Sequence, residues 1–108
     1  MRADLVAAAT AVQAPGQPAE ISAVLNRMPG DLLDGPDDRV VDAVDAAMDD
    51  LYREGLLVCP GHRWLPGPPP SIRGHLVGLH DRGHLLRDPQ TRTWSYSGVT
   101  SYFRVTPR

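Results

Sequence analysis

The sequence predicts an α+β domain: a three-helix core, then a short fourth helix and a small antiparallel β-sheet. Two observations lead there. Apolar residues recur at helical spacing in three successive stretches, each closed by proline or glycine. Short apolar or aromatic runs follow, separated by turn residues, which is the pattern of brief strands. The 108 residues fit a single domain, and an apolar content of 42% is enough for one core. Eleven prolines and ten glycines imply frequent loops.

The first helix is expected over residues 3–13, with Leu5, Ala8, Ala9 and Val12 on one face. Alanine favours helix because it loses no side-chain entropy. Pro15-Gly16 ends it, and Pro18 suits the first turn of a second helix, where a missing N–H is no loss. Ile21, Val24, Leu25 and Met28 give that helix its apolar face, and Pro29-Gly30 closes it. Residues 29–36 read as a loop whose Leu32 and Leu33 tuck under the helices.

The most informative stretch runs from Asp37 to Leu65. Val40, Val44, Ala47, Met48 and Leu51 share one helical face, and Asp37 or Asp38 is expected to cap the helix. Gly55 supplies the left-handed residue that stops it. Leu56, Leu57 and Val58 suit a buried strand, Pro60-Gly61 a turn, and Trp64-Leu65 an antiparallel return. This order resembles the third helix and wing of the winged helix-turn-helix superfamily, best over residues 1–66. The resemblance implies a winged-helix-like core and a regulator that binds DNA, often as a homodimer. A helix-turn-helix usually joins its helices in three or four residues. The connection at 29–36 is longer.

Residues 66–70 form a stiff proline-rich loop between two halves of one domain. Ser71 is expected to cap the fourth helix, with Ile72, Leu76 and Leu79 inward and Gly83 as its stop. Gly74 and Gly78 share a face on which another backbone or a ligand could approach. Three short antiparallel strands follow, near 84–86, 92–96 and 101–105. The run from Leu79 to Leu86 echoes the run from Leu51 to Leu57, so the chain reads as one helix-and-wing followed by a second.

The net charge of −2 conceals a split. Residues 1–58 sum to −7 and residues 59–108 to +5, and all four histidines lie in the second half. Such asymmetry points either to two different partners or to attraction between the halves. All eleven basic residues are arginine, which fits a GC-rich bacterial coding bias. One cysteine excludes an internal disulfide framework. No apolar run approaches a membrane span, and no signal-peptide pattern is evident, so a cytoplasmic location without membrane contact is expected.

Binding a nucleic acid needs cations on the contact face. The third helix lacks them, because Asp42, Asp45, Asp49 and Asp50 are expected on its solvated side. The basic half is the better candidate for contact with DNA or RNA. There Arg73, Arg82, Arg87, Arg92 and Arg104 are expected to hold phosphates, with Trp94 or Tyr96 at the contact. The competing reading is a non-catalytic adaptor that docks a protein partner through Asp42, Asp45 and Asp49. A lesser one is a zinc-stabilised domain with Cys59, His62, His75 and His80 at finger-like spacing, His84 replacing His75 as a variant. Cys59 and His62 also pair a nucleophile with a base, but no third orienting group accompanies them. No phosphate-binding glycine loop is present, so no cofactor and no enzymatic activity are expected.

Overall fold

The computed structural model describes residues 1–16, 19–58, 71–97 and 102–106, the side chains of Leu32, Leu33 and Tyr102 excepted. It is a mixed α+β fold, with four helices and two small antiparallel sheets among the described residues, around one core. The helices are α1 (Arg2–Gln13), α2 (Ile21–Arg27), α3 (Asp37–Arg53) and α4 (His75–Asp81). The strands are β1 (Ala19–Glu20), β2 (Leu57–Val58), β3 (Leu85–Arg87), β4 (Trp94–Tyr96) and β5 (Tyr102–Val105). Among the described residues no helix is long and apolar enough to cross a membrane.

The expected apolar faces are the buried ones. Leu5, Ala8, Ala9 and Val12 of α1 meet Ile21, Val24 and Leu25 of α2 and Val40, Val44, Met48 and Leu51 of α3. The helix ends need correction. Ala19 and Glu20 do not open α2 but form a strand, and the Glu20 carboxylate accepts the Ser22 N–H at 2.9 Å as the helix cap. Helix α3 begins after Pro36 without a side-chain cap; Asp37 and Asp38 sit in its first turn, where the helix dipole favours anions. Within the expected loop, Gly30–Leu33 form a 3₁₀ turn. The placement expected for the Leu32 and Leu33 side chains lies outside the described residues.

Helix α4 starts three residues later than expected, at His75. Gly74 is its N-cap at φ 93°, which excludes most other residues there. Ser71 caps no helix: its hydroxyl donates to Asp49 at 2.6 Å and accepts the Arg73 N–H. Helix α4 lies along α3, so α3 is covered on two sides.

The echo between the two halves has a local cause. Gly55 and Gly83 both take left-handed φ, 79° and 77°. Each donates to the carbonyl three residues back, Tyr52 and His80, both at 3.0 Å. The next N–H, of Leu56 or His84, reaches Leu51 or Leu79 at 2.9 Å. This is the Schellman stop, formed twice. The strands after the two stops pair differently. Strand β3 pairs with β4, whereas β5 leaves that hairpin and lies between β1 and β2. The three strands expected to follow one another in a single sheet are therefore split between two. The return strand expected at Trp64-Leu65 lies outside the described residues. Phe103 and Val105 face the core from β5, and Trp94 does so from β4.

Candidate functional site

Helix α3 carries two carboxylates that its sequence places on a polar face, and both are covered by α4 and the residues that lead into it. Asp45 is 2% exposed and Asp49 is 5% exposed. Asp45 accepts the backbone N–H groups of Gly74 and Leu76, each at 2.9 Å, and of Val77 at 3.2 Å. The first turn of α4 has no capping side chain of its own, so Asp45 supplies the cap from another helix. Asp49 accepts the Ser71 hydroxyl and the Ile72 N–H, the latter at 2.9 Å. The Ser71 hydrogen bond, more than the nearby Arg53 charge, holds the Asp49 carboxyl below the usual carboxylate range despite its burial.

Arg73 closes the same interface from outside. Its guanidinium meets Asp45 at 2.6 Å and Asp42 at 2.8 Å, and those hydrogen bonds raise its already high pKa. The acidic stripe expected as a protein-docking face is thereby corrected: Asp45 and Asp49 are interior, and exposed Asp42 is bound to Arg73. Arg73, expected to face phosphate, is engaged here by Asp42 and Asp45.

The β3–β4 hairpin uses its cation and its indole internally. Arg87 is 8% exposed, lies 4.6 Å from the centroid of the Trp94 ring and reaches Asp37 at 3.3 Å. Trp94 is 4% exposed. Neither is placed to meet a nucleic acid, because the core needs the indole and the guanidinium lies over it. The Asn26 amide in α2 donates to the Trp94 carbonyl at 2.9 Å and accepts its N–H at 2.7 Å. Gln13 of α1 does the same for Val105 of β5, at 3.3 and 2.9 Å. These amide clips have no signature in the sequence, since any exposed helix position can carry Asn or Gln.

At the hairpin loop the Asp88 carboxylate accepts the N–H groups of Gln90 and Thr91, which keep its pKa low, Thr91 contributing most. Arg92 follows at φ 61°, a left-handed conformation on a non-glycine residue. Its guanidinium lies 3.9 Å from Asp34, across the mouth of a pocket of about 370 Å³ floored by Leu25, Met28 and Trp94.

Of the other expected phosphate ligands, Arg82 and Arg104 are exposed. Arg82 donates through Nε to the Gly78 carbonyl at 3.1 Å. Arg104 stands opposite Val58 on the outward face of the β1–β5–β2 sheet. Tyr96 is half-buried, and burial, aided by the nearby Glu20 charge, pushes its hydroxyl pKa up. His75 and His80 both lie on α4, but five residues turn them about 140° apart around the axis. Cys59 and His62 fall outside the described residues. Among those described, no group of three His, Cys, Asp or Glu residues could hold a metal ion.

A larger hollow, about 720 Å³, lies along the outer side of α1. Val6, Leu51 and Leu56 give it an apolar lining, Ala3, Ala7, Thr10 and Thr106 border it, and the Arg2–Glu54 ion pair sits at its rim. The apolar spacing of α1 marks its buried face and gives no sign of this outer one. Comparison with protein-family models, curated proteins and solved structures gives no match to this chain.

Proposed function

We propose that this protein is a non-catalytic interaction module of winged-helix type that docks a second copy of itself along α1. The observation that carries the reading is the internal commitment of the charges. Arg73 is taken by Asp42 and Asp45, and Arg87 by Asp37 and Trp94, while the hollow beside α1 stays open and apolar. Exposed Ala3 and Ala7 lie four residues apart on α1, so another helix can approach closely at that line. A two-fold pairing places each α1 beside the other's hollow, as an isologous interface requires. The winged-helix resemblance is supported by three helices in one core and by a strand after α3 whose antiparallel partner returns as β5. The cover that α4 lays over α3 removes that helix as a groove reader.

Sedimentation equilibrium tests the proposal. The wild type is expected to dimerise, and Ala7→Glu to be a folded monomer, because it sets a charge at an exposed position of the pairing line. A wild type that stays monomeric at high micromolar concentration, or an unchanged Ala7→Glu dimer, refutes it.

Nucleic-acid binding remains as a second reading on one observation: Arg82 and Arg104 are both exposed, with Tyr96 half-buried on β4. Two phosphate contacts give a logarithmic salt slope of about −2. Fluorescence anisotropy with mixed duplex and single-stranded oligonucleotides at low salt detects it, and no binding there removes it.

A further inference from the structure

The pocket between α2, the 3₁₀ turn and the β3–β4 hairpin is independent of the α1 surface. We propose that it binds a small organic acid, a single carboxylate on an apolar body. Its volume of about 370 Å³ lies in the range of small-molecule sites.

The lining gives the ligand its chemistry. Leu25, Met28 and Trp94 form an apolar floor, buried at 1%, 6% and 4% exposure. Two arginines line the same space, Arg87 from the wall and Arg92 at the mouth. Arg87 is already positioned by Asp37 and the Trp94 ring. It contributes a fixed positive charge beside the apolar floor. Arg92 is the group that can grip. Its ion-pair partner among the described residues, Asp34, stands 3.9 Å away, with side chains 54% and 80% exposed. That pair is loose and solvated. A ligand carboxylate can meet the guanidinium through two short parallel hydrogen bonds, which is a stronger geometry. Asp34 and Asp37 are the acids beside the two arginines, so the site is balanced and suits a monoanion better than a dianion.

The backbone points the same way. Arg92 is the one non-glycine residue with positive φ among those described. The turn that holds it is firmly tied: Arg92 N–H reaches the Asp88 carbonyl at 2.8 Å, and Asp88 N–H reaches the Thr93 carbonyl at 2.9 Å. Glycine or asparagine would take that conformation with less strain. A strained arginine at the mouth of a pocket is a position held for its side chain.

The test is titration of ¹⁵N-labelled protein with benzoate, followed by amide and indole cross-peaks. Benzoate is expected to shift Asn26, Thr93 and the Trp94 indole saturably. Arg92→Gly is expected to raise the unfolding temperature, since glycine relieves the left-handed strain, and to weaken benzoate at least about tenfold. Benzamidine, the same ring with opposite charge, is expected to leave those peaks unmoved, and inorganic phosphate to move them less than benzoate. No saturable shift with benzoate overturns the proposal. So does an equal response to benzamidine or phosphate, or benzoate affinity unchanged in Arg92→Gly. None of these outcomes depends on whether α1 forms a dimer.

Discussion

Replacing Asp45 with alanine removes the acceptor on which α4 rests. Three backbone N–H groups, of Gly74, Leu76 and Val77, lose their partner, and so does the Arg73 guanidinium. Loss of a helix cap alone costs about 0.5–2 kcal/mol. A buried donor left unsatisfied adds roughly 1–3 kcal/mol. Gly74 is exposed and recovers water, whereas Leu76 is buried and does not. Arg73 keeps Asp42 and is itself partly exposed, so its share is small. The expected destabilisation is therefore about 3 kcal/mol, against a total of roughly 5–15 kcal/mol for a domain of this kind. At a urea dependence of about 1–3 kcal/mol per molar, the midpoint falls by about 1–3 M. Urea unfolding followed by circular dichroism reads the loss, and amide exchange at Leu76 and Val77 shows whether α4 opens first. Arg73→Ala should cost clearly less than Asp45→Ala, because the buried member of the pair is the carboxylate. If Asp45→Ala costs under about 1 kcal/mol, or less than Arg73→Ala, the carboxylate is not the cap of α4 and the reasoning fails.

Two further outcomes rest on neighbouring contacts. The folded-state pKa of Asp49 is depressed, so its contribution is complete above the unfolded value of about 3.9 and is lost as pH falls through the folded value. Asp49→Asn keeps an acceptor for Ser71 and Ile72 but should flatten the acid limb of the stability–pH curve; an unchanged limb would count against the assignment. Asn26→Ala removes both hydrogen bonds to the Trp94 backbone and should cost about 1–3 kcal/mol, with faster amide exchange at Trp94 and little change in α1.

The helices were legible because their apolar faces are periodic. Leu5, Val12, Val24, Leu25, Val44 and Leu51 are all buried as their spacing requires. Both glycine stops were legible, since a left-handed residue after an apolar-periodic run has few other readings. The strand pairing was not. Strands of two to four residues carry almost no register information, and nothing local sends β5 past β4 to lie between β1 and β2. The site failed for a related reason. At a helical period Asp45 and Asp49 lie off the main apolar stripe and read as solvated, and only the packing of residues 71–81 shows that α4 needs Asp45 and that the segment before it needs Asp49. A signal was available: α3 carries Val41 as well as the expected face, so its apolar arc is wider than one contact needs.

The charge split between the halves now has a structural use. Arg73, Arg87 and Arg92 of the basic half face Asp42 and Asp45, Asp37, and Asp34 of the acidic half. Of the two readings of the asymmetry, two different partners or attraction between the halves, these pairs supply the second at three arginines. Each pair also has a position in the fold: Arg73 fastens α4 to α3, Arg87 fastens the β3–β4 hairpin to the start of α3, and Arg92 hangs over a pocket. The first two pairs carry a buried member, Asp45 and Arg87, and removing one partner of such a pair is destabilising. The third is exposed on both sides and contributes little to stability by comparison. It is also the pair whose arginine sits on a strained backbone. Among these arginines, Arg92 is thus the one whose place the fold explains least, and a role outside folding accounts for it best.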